Sequence, residues 1–322
     1  MSSGQGSTPS AQLADLYTPD VVAVLNRLAA WIDADPERSN TVVADAVGYS
    51  ESTISRMLGR VYNGRVDRLA ARIERFLAHE RDRASAPQRP PYVRTAISDR
   101  VMRVLSLCHI EGGLGAVLGP TGIGKTMAAR QYCETEPSTL YVYAGPCCRT
   151  YALLRELARL TEVHWSASGY DVLQQIIAKL SGGGRPLVVI DEADYLPEDT
   201  LHVLRQLSDG ADVGVVLIGT DGFLQRLRAR RTTTVNQVLG RIGHTELLDM
   251  STEDDLHKIV EPFGLDGDAF GALVQDAHGQ ARRAVAALIA ARRMGDGALD
   301  AKRIRKAYRK LMPVINGLPQ AG

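Results

Sequence analysis

Apolar and polar positions change their rhythm along this chain, and the changes divide it. Residues 13–83 run at helical spacing. In TPDVVAVLNRLAAWIDAD, Val21, Val22, Leu25, Leu28 and Ile32 recur every three to four residues, behind Thr18 as N-cap and Pro19 at the first helical position. VDRLAARIERFLAHERDR carries Leu69, Ile73, Phe76 and Leu77 on one face. Between them ADAVGYSESTISRML has the layout of a helix-turn-helix: a helix over 42–47, Gly48 as a turn residue needing unusual φ, and a second helix capped by Ser50. The Pro-rich stretch ASAPQRPP (84–91) breaks helix and predicts a linker.

Beyond it the rhythm alternates. Short continuous apolar runs, GLGAVLG (113–119), TLYVYAG (139–145), the LVVI of GGGRPLVVIDEAD (182–194) and VGVVLIGT (213–220), are separated by helical patterns. Apolar runs without polar alternation predict strands buried on both faces, hence an α/β domain with a parallel sheet and helices on each side. From about 250 onward the pattern is helical only, and the chain shows no internal repeat.

Composition changes this picture little. The 322 residues leave room for two or three modules, and 45% hydrophobic with 23% charged residues is ordinary for a globular protein. Aromatics make up only 5%, so the core must rest on aliphatic side chains. A formal net charge of +1 gives no general attraction to polyanions, so nucleic-acid binding would need local basic patches. Cys108, Cys133, Cys147 and Cys148 form no CxxC pair and read as reduced thiols of a reducing compartment. No apolar run has membrane-span length, and the first twelve residues lack a basic segment leading into an apolar one. The expectation is a cytoplasmic protein with a short polar tail.

The chemistry concentrates at two places. GPTGIGKT (119–126) has the phosphate-loop spacing, preceded by a strand and followed by a helix. Its glycines let backbone N–H groups turn toward phosphate oxygens, Lys125 reaches the β- and γ-phosphates, and Thr126 offers a hydroxyl to Mg²⁺. Gly119, Pro120, Thr121, Gly122, Ile123, Gly124, Lys125, Thr126 and Met127 are therefore the expected nucleotide contacts. The apolar run 187–190 ends at Asp191 and Glu192, at the strand end where ligands of open α/β sheets sit. Asp191 suits Mg²⁺ through water, and Glu192 suits orienting and polarising the attacking water. Thr220, ending the next strand, can help place that water; a plain strand-terminal turn is the other reading.

In this order of elements the chain resembles the AAA+ ATPases and, more narrowly, the transposon target-selection ATPases of the phage Mu transposition protein B type. The carriers are ISRMLGRVYNG, PPYVRT, GPTGIGKTMAAR, VVIDEADYL, VVLIGT, LGRIGHT and GQARRAV. The resemblance implies an N-terminal helix-turn-helix DNA-binding domain at 1–86, a three-layer AAA+ core at 87–249 and an α-helical lid at 250–322. It makes Arg241 the arginine finger that reaches the γ-phosphate held by a neighbouring subunit, a task suited to a permanently charged, bidentate guanidinium. Arg282, beside Arg283, becomes the lid arginine that senses nucleotide in the same subunit, and Val93 and Thr95 approach the adenine. Thr220 departs from the asparagine common at its position, which bears on hydrolysis rate and not on nucleotide binding. A loop that is basic in the Mu protein reads HWSASGY (164–170) here, so its DNA contacts do not transfer.

DNA would instead meet the exposed side of the second helix, Glu51, Ser52, Thr53, Ser55 and Arg56, with Arg60, Arg65, Arg68, Arg72 and Arg75 behind it. Arg149 after the second strand, Arg228 and Arg230 in RLRARR (226–231), and the basic helix AKRIRKAYRK (301–310) offer further phosphate contacts; a solvated helix face is the bland reading of each. The function implied is an ATPase, with ATP and Mg²⁺ as cofactors, that oligomerises as a filament or ring on double-stranded DNA, tolerates sequence, and delivers target DNA to a transposase it activates. A helicase loader of replication and an ATP-switched helix-turn-helix regulator of transcription remain open alternatives at this stage.

Overall fold

The computed structural model describes residues 16–84, 90–165, 168–230, 233–295 and 297–311, with the side chains of Leu224, Arg230, Thr233 and Thr234 left aside. The N-terminal tail and most of the expected linker 84–91 lie outside them. The chain folds as two compact units, Met1–Pro87 and Gln88–Gly322.

The first unit is helical. Thr18 accepts the Val21 N–H and Pro19 opens α1 (Pro19–Asp33). Helix α2 (Asn40–Val47) stops at Gly48, whose φ of 71° is the left-handed value glycine takes without strain. Ser50 then caps α3 (Glu51–Leu58), and α4 (Val66–Ala84) closes the bundle. Leu28, Val43, Ile54, Met57, Leu69 and Ile73 are wholly buried between the helices. Val24 is buried with Val21, Leu25 and Leu28, whereas Val22, about 200° round the helix from Val24, is only half-buried. Arg72 turns inward rather than joining a basic surface. It donates to the Val47 carbonyl at 2.8 Å and lies over the Tyr49 ring, which ties α4 to the electronegative end of α2.

In the second unit five parallel strands stand in the order β2-β3-β4-β1-β5. They are β1 (Gly113–Leu118), β2 (Thr139–Tyr143), β3 (Leu187–Asp191), β4 (Gly214–Gly219) and β5 (Ile242–Leu247). Successive side chains of a strand point to opposite faces, so each apolar run feeds two cores. Val188 and Ile190 of β3 pack with α7 (Thr150–Leu160), α8 (Gly169–Ser181) and α9 (Glu198–Ala211), while Leu187 and Val189 pack with α5 (Ala96–Glu111) and α6 (Lys125–Thr135). This is why these strands read as continuous hydrophobic stretches. Helices α10 (Asp221–Arg230) and α11 (Thr233–Leu239) precede β5. The C-terminal helices α12 (Glu253–Val260), α13 (Gly267–Ala277), α14 (Ala281–Arg292) and α15 (Ala301–Leu311) bury a core of their own around Leu273, Leu288 and Ile304. Among the described residues no helix is long and apolar enough to cross a membrane.

Helix α5 lies so close to the sheet that Gly214 has no room for a side chain: a Cβ there would collide with the Cys108 carbonyl. Gly214→Ala is expected to destabilise this unit by about 1–3 kcal/mol through overpacking, read as a lower thermal unfolding midpoint with the helical first unit unchanged. A midpoint equal to wild type would show that α5 and β4 are not packed this tightly.

Candidate functional site

The phosphate loop leaves the C-terminal end of β1, beside the ends of β4 and β3. Gly122 and Gly124 have φ values of 80° and 107°, backbone states that side-chain-bearing residues rarely take. They turn the loop into the N-terminus of α6, which begins at Lys125 itself. The helix end presents free N–H groups and the positive end of its dipole, an anion site before any side chain is counted. Gly119 is constrained differently, since a Cβ there would press on the Leu248 backbone where the chain leaves β5. Within the loop Ile123 is buried, Pro120, Gly122 and Thr126 are half-buried, and Thr121 and Met127 are exposed.

Lys125 folds back into the loop. Its Nζ donates to the carbonyls of Gly119 at 2.6 Å and Pro120 at 2.7 Å. Burial holds its pKa below the ordinary lysine value, against the opposing pull of Asp191, Asp194, Glu192 and Asp221. A desolvated ammonium satisfied by neutral carbonyls can exchange them for an anion at little cost.

Asp191 closes β3 with 2% of its surface exposed. Its Oδ2 accepts from the Tyr141 hydroxyl at 2.7 Å and its Oδ1 from the Glu192 N–H at 2.9 Å. Glu192 has φ 57° and ψ 41°, the left-handed region for a residue with a Cβ, before a single 3₁₀ turn over Ala193–Tyr195. Such backbone costs on the order of 1–3 kcal/mol and persists where the surroundings over-determine it. The turn carries Asp194 to the end of β4. There one carboxylate grips Thr220 twice, accepting its N–H on Oδ2 at 2.8 Å and its hydroxyl on Oδ1 at 2.5 Å. The Thr220 hydroxyl therefore points at Asp194, and the pair forms one unit at the strand ends. Asp194, three residues after Asp191, belongs to no motif of its own, and only the packing of the 3₁₀ turn against β4 brings it to Thr220.

The two arginines are placed differently. The N–H of Arg282 donates to the Gly122 carbonyl at 2.9 Å, so the start of α14 sits on the phosphate loop of the same chain. Arg241 lies just before β5, which pairs with β1 from Leu114↔Ile242 onward. It therefore stands at the opposite end of the sheet from the loop that follows Leu118, about 20 Å away at 3.3 Å per residue. There its side chain, 60% exposed, pairs with Asp209 at 3.3 Å. Thr95 is buried and caps α5, accepting the Ser98 N–H at 3.1 Å, and Val93 is half-buried just before it. Asp255, 1% exposed, reaches from α12 to the Ala96 N–H at 2.7 Å and fastens that helix start to the C-terminal helices.

Of the residues expected to meet DNA, Ser52 and Arg56 are exposed on α3, whereas Thr53 is half-buried and its hydroxyl contacts Ser50 in the cap. Arg149 and Arg228 are exposed; Arg230 ends α10 with its side chain outside the described ones. Lys302, Arg305, Lys306, Arg309 and Lys310 form one exposed face of α15.

An AAA domain family matches residues 109–227. The chain is similar to the Mu-like prophage FluMu DNA transposition protein B of Haemophilus influenzae, with 24% identity over 254 residues, covering 77% of this chain and 87% of the relative. It is similar also to the ATP-dependent target DNA activator B of Escherichia phage Mu, with 26% identity over 230 residues, covering 71% and 74%. Among solved structures, Cdc6p from Pyrobaculum aerophilum superposes with TM-score 0.57 at 19% identity over 74% of each chain. The Aeropyrum pernix ORC2 protein gives 0.54 at 21% identity over 71% of each. At these identities the solved structures share the fold.

Removing the Asp194 carboxylate unties Thr220 without touching the loop. Asp194→Ala removes both hydrogen bonds to Thr220 and is expected to lower kcat for ATP hydrolysis at least about tenfold, since a single bond to a charged group is worth about 1.5–3 kcal/mol, with nucleotide affinity within twofold of wild type. Lys125→Ala should instead abolish nucleotide binding in a fluorescent-nucleotide titration. Equal loss of affinity in both variants would show that Asp194 supports the loop and not Thr220.

Proposed function

Taking the chain as an AAA+ ATPase that resembles the Mu-type target DNA activators, we propose that ATP makes it assemble on double-stranded DNA and that the assembly presents this DNA to a transposase. The observation that carries the reading is the place of Arg241. It cannot reach the phosphate loop of its own chain, yet a guanidinium is the group suited to a γ-phosphate. The ATP site is then completed by a neighbour's Arg241, and nucleotide state controls subunit contact. Arg282, on the loop of its own chain, would report the same nucleotide to the C-terminal helices, taken here as a lid domain over 250–322 behind a core at 87–249. The helical unit of 1–86 would serve as a DNA-binding domain.

The oxygen donors at the site fit Mg²⁺. Among the described residues no three His, Cys, Asp or Glu side chains gather into an all-protein cage, and Mg²⁺ in nucleotide sites usually takes one or two protein oxygens with phosphates and water. Thr126 and Asp191 would hold it, and it would neutralise charge developing on the phosphates. Glu192 would orient and polarise the attacking water, with Thr220 bounding its place from β4. Lys125 would trade its loop carbonyls for phosphate oxygens. Hydrolysis would loosen the contact made through Arg241 and release DNA.

The narrow client, a transposase, rests on the relatives named target DNA activator and DNA transposition protein B. DNA contacts would come from Ser52, Thr53 and Arg56 on α3 and from Arg149, Arg228 and Arg230. They would be largely blind to sequence and weakened by salt.

With DNA and ATP present, Glu192→Gln is expected to bind ATP, stop turning it over and remain as large assemblies by light scattering and negative-stain imaging. Arg241→Ala should reduce kcat about 10³-fold, the lower range for a finger arginine, and mixing it with Lys125→Ala should restore part of the activity at mixed interfaces. A Glu192→Gln protein that binds ATP but stays monomeric on DNA would sink the reading.

A further inference from the structure

The site contains a polar contact that neither the phosphate loop nor the DE pair accounts for. Tyr141 stands on β2 opposite Val189 of β3. Val189 and Asp191 share a face of their strand, the face covered by α5 and α6. An aromatic side chain reaches a diagonal neighbour two residues on along the adjacent strand, and Tyr141 does so, placing its hydroxyl 2.7 Å from Asp191 Oδ2. From the other side Arg130 of α6 approaches. Its Nε lies 3.4 Å from the phenol oxygen and its guanidinium carbon 5.4 Å from the ring centre.

The direction of these bonds is determined by chemistry. Arginine can only donate, so the phenol oxygen accepts from Arg130 and its one proton is left for Asp191. An ordinary phenol, with a pKa of about 10, keeps that proton at neutral pH. A carboxylate at a strand end otherwise rotates broadly about its last torsion. Here the Tyr141 hydroxyl holds one oxygen and the Glu192 N–H the other. A phenylalanine at 141 would fill the same space but lose both polar contacts of the hydroxyl, the one to Asp191 and the one from Arg130.

We propose that Tyr141 is a positioning residue for ATP hydrolysis: its hydroxyl, backed by Arg130, holds the Asp191 carboxylate in the orientation that serves nucleotide-bound Mg²⁺. Because Arg130 belongs to the helix that starts inside the phosphate loop, the same chain of contacts links that loop to the carboxylate across β2. The inference rests on the reading of Asp191 as the Mg²⁺ carboxylate.

The test compares full-length wild type, Tyr141→Phe, Arg130→Ala and Asp191→Asn. Affinity for a fluorescent ATP analogue is measured in EDTA and across a titration of free Mg²⁺, with kcat and KM alongside and thermal unfolding as the folding control. For Tyr141→Phe we expect EDTA affinity within twofold of wild type, a free-Mg²⁺ midpoint raised about tenfold, and a fall in kcat with KM little changed. Arg130→Ala should move the midpoint the same way by less, and it carries the test if Tyr141→Phe does not fold. If Asp191→Asn shifts the Mg²⁺ midpoint and neither Tyr141→Phe nor Arg130→Ala does, the positioning role is overturned while the reading of Asp191 stands. If Asp191→Asn leaves the midpoint in place, the reading beneath it fails. A Tyr141→Phe protein that loses affinity equally with and without Mg²⁺ would make the phenol a packing element and overturn the proposal.

Discussion

Parallel strands can share an edge only when every connection crosses back over a face of the sheet. In the order β2-β3-β4-β1-β5 this constraint brings the C-terminal ends of β1, β3 and β4 to one edge. The loop of 119–126, the Asp191–Glu192 pair and Thr220 all leave the sheet there. None of them is near another in sequence, and each depends on the pairing of β4 between β1 and β3 for its place. The crowding of α5 on the sheet at Gly214 shows how closely that layer is packed.

At these strand ends charge is arranged around a half-buried cation. Lys125 sits among Asp191, Asp194, Glu192 and Asp221, and burial outweighs their pull on its proton. Each carboxylate with resolved contacts is engaged. Asp191 accepts from Tyr141 and from the Glu192 N–H, and Asp194 accepts twice from Thr220. Groups held in this way need not reorganise when charge changes on a bound phosphate, which is the usual source of electrostatic catalysis. Thr220 is thereby given a partner of its own.

The same sheet separates the two arginines. Arg282 meets the loop through the first turn of α14, whereas Arg241 stands at the far end of β5 beside Asp209. One chain therefore holds one arginine against its own phosphate loop and another at the opposite end of the sheet, out of reach of that loop. Under the proposed function this asymmetry makes assembly and hydrolysis two aspects of one interface.

Local sequence determined the elements and the anion site. Continuous apolar runs marked the buried strands, Gly48 and Ser50 marked the turn and cap of the first unit, and glycine spacing marked the loop, because these depend on backbone conformation and short-range periodicity. Tertiary structure decided what those elements do to one another. That Arg72 points into a helix end, that Asp194 holds Thr220, and that Tyr141 reaches Asp191 depend on helix packing and strand order across separations of 25, 26 and 50 residues. No local periodicity encodes such distances. They are set by which buried faces can pack together, and that is settled only when the whole sheet closes around its two cores.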